Sequence, residues 1–313
     1  MSGGGGGGSR VPIPNNVRNT IIDIREITGK QHTDDEIYAV LKECSMDPNE
    51  TAQKLLYLDT FHEVMDVPLP LDKLALELIS NEPSPGSTNI GNIYVILVAT
   101  GSFNPPTLMH LRMFELARDA LNSKGYCVIG GYMSPVNDAY KKKNLISASH
   151  RIQLCHLACK SSEFVMVDPW EANQSSYQRS LTVLSRVHTS ICETGLVSKE
   201  SLKVMLVCGS DLLHSFSVPG IWVPDQVRSI CRDYGVVCIR REGQNVEKTI
   251  SNDEIMNENQ ANIEVVDELV PNQISSTRVR ECIARGLSIK YLTADEVIEY
   301  IRKNKLYLNS NDE

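Results

Sequence analysis

The sequence predicts a doubly wound parallel α/β sheet preceded by a small three-helix module. Three observations carry the prediction. Beyond residue 92, strand-length apolar runs alternate with amphipathic helical stretches, the pattern of repeated βα units. The first run, Ile93–Ala99, is almost unbroken, as suits a strand covered by helices on both faces. Ahead of residue 65 the chain shows three short stretches with helical apolar spacing, set between cap and stop residues.

In chain order, residues 1–10 (MSGGGGGGSR) form a flexible Gly-rich tail and residues 11–64 the three-helix module. In its first helix Val17, Ile21, Ile24 and Ile27 make a stripe, with Ile22 adjacent and Gly29 as the stop. Thr33, with Glu36 three residues on, is a capping box for the second helix, whose Ile37, Val40 and Leu41 share a face. Asp47 caps the third, with Pro48 at its first position ahead of Leu55, Leu56 and Leu58. Residues 65–92 supply a short amphipathic helix, Leu71 to Ile79, and the loop NEPSPGSTNIGN. In residues 93–308 the pattern predicts strands at 93–99, 126–131, 164–167, 203–208, 235–240 and 263–266. Helices are predicted at 107–121, 148–159, around 177–192, shortly before 235, at 276–285 and at 294–304.

Of the 313 residues, 42% are hydrophobic and 22% charged, which excludes wholesale disorder. A net charge of −8 argues against a nucleic-acid partner. Residues 1–87 hold 7 Lys and Arg against 14 Asp and Glu, whereas the remainder is nearly balanced. An anion must therefore be bound in the α/β part by a local cluster. No run approaches the length needed to span a bilayer, so no membrane partner is expected. Nine cysteines include no CxxC pair. Cys155 and Cys159 flank His156 at helical spacing without a second half-site, and read as packed thiols. Free thiols and the absence of a signal or presequence pattern point to the cytoplasm or nucleus.

In doubly wound sheets ligands sit at the carboxyl ends of the strands. The first strand runs into Thr100-Gly101-Ser102-Phe103-Asn104-Pro105-Pro106-Thr107-Leu108-Met109-His110 and then a helix. Gly101 permits a sharp turn and a close ligand, and the prolines stiffen the loop. Thr107 and His110 share the opening turn beside the N–H groups of a helix N-terminus, which together make an anion site. Near the other end, Ser275 or Ser276 can cap a helix whose first turn carries Thr277, Arg278 and Arg280. Cations there oppose the helix dipole, and a polyanion would offset them. The chain has no GxxxxGK[ST], no GxGxxG after a strand, no HExxH and no paired-carboxylate dyad.

GSFNPPTLMH resembles the first signature of nicotinamide/nicotinate mononucleotide adenylyltransferases, and Ile274-Ser275-Ser276-Thr277-Arg278-Val279-Arg280 resembles their second. SPVNDAYKKKNLI, VDPWE, CGSDLL and PGIW resemble the eukaryotic form in order and spacing, so the likeness runs from about Ile93 to Tyr307. Related families usually carry HxGH where this chain has Thr107-Leu108-Met109-His110. The resemblance implies a Rossmann-like nucleotidyltransferase domain. Its substrates would be ATP and nicotinamide or nicotinate mononucleotide, with Mg²⁺ delivered on ATP and no dedicated protein metal site. Separately, residues from Val11 to Val64 resemble the N-terminal domain of plant GBF-interacting proteins, a ubiquitin-associated-like three-helix fold. That likeness implies a protein partner and no catalysis. Met65 follows directly, so the chain reads as two joined modules. A homo-oligomer is expected.

Carried over by resemblance, His110 and Arg280 are catalytic. Gly101, Ser102, Phe103, His110, Thr277, Arg278, Val279 and Arg280 face ATP. Ser102, Phe103, Tyr140, Lys142, Trp170, Gly209, Asp211, Ile221, Trp222, Arg241, Glu268 and Asn272 face the mononucleotide or the dinucleotide product. Trp170 and Trp222, the only tryptophans, would wall the flat pyridinium ring. The implied reaction is in-line attack of the mononucleotide phosphate on the α-phosphorus of ATP, with His110 donating to the α-phosphate and the arginines holding the β- and γ-phosphates. Two other readings use the same residues. One is a relative that transfers AMP or CMP to another phosphate. The other is an adaptor or transcription coactivator working through residues 11–64, with the sheet as scaffold.

Overall fold

The computed structural model describes residues 14, 17–28, 33–44, 46–52, 54, 55, 68–79, 93–140, 142–241 and 243–308. Two compact units divide at Val67 and Pro68.

In the first unit, helices Arg18–Thr28 and Asp34–Glu43 are joined by a further helical stretch at 48–52, 54 and 55. Val17, Ile21, Ile24, Ile37, Leu41, Ala52 and Leu55 form its core. The capping box is present: the Thr33 N–H donates to Glu36 Oε2 (2.8 Å) and the Glu36 N–H to Thr33 Oγ1 (3.3 Å). Asp47 Oδ1 accepts from the Asn49 and Glu50 N–H groups, as a cap should. The predicted stripe needs one correction. Ile27 is 58% exposed, and Thr28 takes the inward position, with its hydroxyl bonded to the Ile24 carbonyl. Ile27, three beyond Ile24 and ten beyond Val17, swings past the edge of the face that Val17, Ile21 and Ile24 set, whereas Thr28, four beyond Ile24, falls back within it. Gly29, Leu56 and Leu58 lie outside the described residues.

The second unit is the predicted doubly wound sheet. Its strands are β1 (Tyr94–Gly101), β2 (Cys127–Pro135), β3 (Val165–Val167), β4 (Leu202–Gly209), β5 (Val236–Ile239) and β6 (Ile263–Val266). They pair in parallel in the order β3-β2-β1-β4-β5-β6. The chain first builds outward from β1 through β2 to β3, then returns to place β4 on the other side of β1. The crevice at that reversal, beyond the ends of β1 and β4, is where such sheets bind ligands. Val95, Ile96, Leu97 and Val98 are fully buried, which accounts for the unbroken apolar run. Helix Leu108–Ser123 packs one face through Met113, Phe114, Ala117 and Leu121. Helices Ala148–Cys159, Ser276–Ala284 and Asp295–Lys303 share a second cluster around Leu154, Val279, Val297 and Ile301. Cys155 and Cys159 are buried on the first of these helices, and burial pushes the Cys159 thiol up to about 12.

The predicted helix Leu71–Ile79 is absent; only Leu76–Leu78 forms a 3₁₀ turn. The backbone of this segment serves the sheet instead. Ile129 is an extra residue in β2 relative to β1, and its carbonyl accepts from the Ala75 N–H (2.8 Å). Lys73 donates to the Cys159 and Ser162 carbonyls, and the Tyr132 hydroxyl donates to the Pro70 carbonyl. Leu74 lies so close to Gly130 that a Cβ there would meet its Cδ2 at 2.5 Å. Two short helices between β5 and β6, Val246–Asn252 and Glu254–Glu258, have no counterpart in the predicted elements. Asn245 and Asp253 cap them, accepting from the Lys248 and Met256 N–H groups.

Candidate active site

The loop after β1 carries the first group of site residues. Phe103 adopts a φ of 41°, uncommon for a bulky residue. Its ring folds back over Gly101, where a Cβ would stand 3.4 Å from Phe103 Cζ. The same ring meets His110 edge-on, with centroids 5.2 Å apart. His110 Nδ1 accepts from the Thr107 N–H (3.0 Å) and lies 2.8 Å from Thr107 Oγ1. With Nδ1 used as an acceptor, the ring proton sits on Nε2. Burial and the positive charges of Arg241 and Lys142 press the His110 pKa down to about 4. His110 is thus a neutral N–H donor at physiological pH.

The open amides expected at this helix N-terminus are partly engaged. Besides the Thr107 N–H, the Leu108 N–H donates to the Leu292 carbonyl (3.0 Å). What faces an anion here is the imidazole together with cationic side chains from other elements.

Those cations converge on the loop. Lys142 donates to Ser102 Oγ (2.9 Å), and Arg280 donates to the Asn104 carbonyl (2.8 Å). Desolvation and the nearby charges of Arg280 and Arg151 lower the Lys142 pKa. Helix Ser276–Ala284 is fastened to the loop by Ser276, whose hydroxyl donates to the Pro105 carbonyl, while Ser275 is its N-cap. Thr293 adds a bond to the Pro106 carbonyl. On that helix Thr277 Oγ1 accepts from Arg280 Nη2 (3.4 Å). The Val279 side chain is wholly in the core, so it can offer a ligand only its backbone. Arg278 departs from the expectation: it is 71% exposed and paired with Glu281, because its place three residues before Glu281 favours an ion pair along the helix surface.

A cleft of about 130 Å³ opens beside Thr100, Ser102, Lys142, Glu171, Tyr177 and Trp222. A larger hollow of about 670 Å³ shares Tyr140, Lys142, Tyr177 and Trp222 and adds Asp211 and Ile221. Tyr140 and Tyr177 stack at 5.7 Å. Trp222 is held edge-on to Phe216, with Nε1 donating to Ser215 Oγ (2.9 Å). At the ends of β4 and β5, Arg241 pairs with Asp211 (2.6 Å), and Gly209 leaves room for the guanidinium, whose Nε would stand 3.4 Å from a Cβ. Glu268 and Asn272 bond one another, and Asn272 also reaches Met109 Sδ (3.0 Å); neither lines these two clefts.

Trp170 is not an exposed wall. It is fully buried on the short helix Trp170–Asn173, and neither cleft includes it. The Asp168 carboxylate accepts its backbone N–H, and Arg186, itself paired with Asp168, lies over its ring at 5.1 Å. Its Nε1 is a buried donor without a partner among the described residues. The ion pair beneath the ring draws it inward, a cation–π contact that sequence spacing does not reveal.

Residues 98–282 match the cytidylyltransferase-like family model, and residues 13–66 match the GBF-interacting protein 1 N-terminal model. The chain is 66% identical over 243 residues to a nicotinamide/nicotinic acid mononucleotide adenylyltransferase of Arabidopsis thaliana, an alignment covering 78% of this chain and 98% of the relative. The chain belongs to this adenylyltransferase family. A rice (Oryza sativa subsp. japonica) member is 63% identical, covering 78% of this chain and 96% of its own. A Bos taurus member is 41% identical, covering 70% and 90%.

Four residues of this adenylyltransferase site escape the sequence reading. Arg151 is fully buried and donates to the Ile146 carbonyl, the Ser102 carbonyl and Asp138, tying the loops after β1 and β2 together. Asn104 donates to the Asn144 carbonyl and accepts from the Tyr307 hydroxyl, fixing the loop from beneath. Glu171 and Tyr177 line the cleft. The first two look like ordinary polar residues, since nothing in their spacing marks burial. The available signal lay beside Trp170 and Tyr140, in the charged and aromatic neighbours of the motifs.

Proposed function

We propose that the protein transfers the adenylyl group of ATP to the 5′-phosphate of nicotinamide or nicotinic acid mononucleotide. A phosphate oxygen of the mononucleotide forms a bond to the α-phosphorus as the bond to the β-phosphate bridging oxygen breaks. The dinucleotide and pyrophosphate result. The attacking phosphate is already anionic at neutral pH, so no covalent enzyme nucleophile or general base is needed, and catalysis rests on alignment and charge stabilisation.

The observation that carries this reading is the neutral His110 donor set among Lys142, Arg241 and Arg280 at the β1–β4 crevice. The His110 Nε2–H donates to an α-phosphate oxygen as negative charge builds there, and Arg280 and Lys142 receive the polyphosphate and the mononucleotide phosphate. Trp222 stacks on the pyridinium ring. Arg278 would join only after leaving Glu281. Among the described residues no three His, Cys, Asp or Glu side chains gather as a metal cage. A divalent ion such as Mg²⁺ is therefore proposed to enter held by ATP oxygens and water. The test is incubation of the full chain with Mg-ATP and each mononucleotide. Chromatography is expected to show equal amounts of dinucleotide and pyrophosphate; their absence with both substrates would refute the reading.

A further inference from the structure

Glu171 is the only acidic residue among those lining the smaller cleft, and it is 2% exposed. Among the described residues its side-chain hydrogen-bond partner is the Ser134 hydroxyl, at 3.3 Å. Lys142 and Ser102 mark the phosphate end of the same cleft, and Trp222 supplies the flat face for the ring. The deepest polar group then remains for the ring's substituent. A carboxylate buried with only a serine hydroxyl is costly, which favours the protonated form.

We propose that Glu171, as the neutral acid, reads the 3-substituent of the pyridine ring: its carbonyl oxygen accepts from the carboxamide of nicotinamide mononucleotide, and its hydroxyl donates to the carboxylate of nicotinic acid mononucleotide. An ionised Glu171 would repel the second substrate. A neutral one serves both without any movement of the backbone. The inference rests on the adenylyl-transfer reading and adds the residue that sets pyridine specificity.

The charges around Glu171 come from several elements. Burial pushes it well above the usual carboxylate range; Ser134 opposes this, Asp168 after β3 adds to it, and Arg151 on helix Ala148–Cys159 opposes it. Arg151 and Asp168 are themselves paired, with Asp138 and with Arg186 of helix Ser180–Glu193. Tyr132 of β2 lies near Asp168 and Arg186, and Tyr177, Tyr140 and Lys142 face the cleft.

The test measures kcat/KM of the full chain for three substrates at saturating Mg-ATP: the two natural mononucleotides and pyridine mononucleotide lacking the 3-substituent. Glu171→Ala is expected to lose about tenfold or more with both natural substrates and no more than about twofold with the unsubstituted one, leaving KM for ATP unchanged. Glu171→Gln keeps a neutral donor and acceptor and should stay within about threefold for both. Should the alanine variant not fold, Glu171→Asp, which withdraws the carboxyl by one methylene, takes its place with the same expected pattern. Equal losses on all three substrates, or none, would overturn the contact. A rise of about tenfold or more with nicotinic acid mononucleotide in Glu171→Gln would show an ionised carboxylate and overturn the neutral state. If the wild-type chain converts neither natural substrate, the adenylyl-transfer reading itself fails.

Discussion

His110 shows how one side chain acquires a role from its surroundings. Its Nδ1 is occupied by Thr107, its body is desolvated against Phe103, and Lys142 and Arg241 disfavour a second proton. The folded-state pKa of about 4 lies below the ordinary 6.5, so the unfolded chain takes up this proton first. The contribution of this group to stability is therefore full above pH 6.5 and is lost as the pH falls towards 4. In the ligand-free protein the ¹⁵N shifts of His110 are expected to report the Nε2–H tautomer with no midpoint near 6.5; a midpoint there would contradict the neutral donor. Trp222 has a second residue-scale consequence. Trp222→Ala should raise KM for the mononucleotide by the equivalent of about 1–3 kcal/mol and leave KM for ATP nearly unchanged. An equal rise for both substrates would make Trp222 a structural residue. The sequence motifs name His110, Arg280 and Trp222, because those residues are invested in a distinctive pattern. They do not foresee that Trp170 is buried beside the Arg186–Asp168 pair or that Arg278 is paired with Glu281, because those partners decide where each side chain goes.

At the scale of elements, alternation and apolar runs are legible because parallel strands bury both faces, and β6 lies on residues 263–266 as spaced. The segment 68–79 is not legible, because its conformation answers to the Ile129 bulge and to the Cys159 and Ser162 carbonyls at and just beyond the end of helix Ala148–Cys159, contacts far away in sequence. Close packing of helix Leu108–Ser123 on β2 likewise depends on Gly131, where a Cβ would lie 2.9 Å from the ring of the fully buried Phe114. Gly131→Ala is expected to destabilise the second unit by about 1–3 kcal/mol in chemical denaturation. A neutral effect would mean that the helix stands further from the sheet than described.

The whole molecule joins two units with separate cores. Residues 13–66 match one family model and 98–282 another, and the site residues all lie beyond β1's first residue. The first unit brings its own caps and apolar core, and β1 lies inside the sheet, so removal of the leading residues exposes no new edge. Deleting residues 1–64 is expected to leave kcat/KM for both substrates within about threefold, roughly 0.7 kcal/mol. A tenfold loss in soluble, folded protein would instead couple the three-helix unit to catalysis.

The central claim is that adenylyl transfer occurs at the β1–β4 crevice with His110 as a neutral donor to the α-phosphate. Side-by-side turnover of the full chain and its His110→Ala variant, with Mg-ATP and nicotinamide mononucleotide both saturating, addresses it most directly. The account predicts dinucleotide formation by the wild-type chain and a kcat about 10²–10³ lower in the variant, with the thermal unfolding midpoint little changed. Wild-type turnover by a folded His110→Ala protein would contradict it.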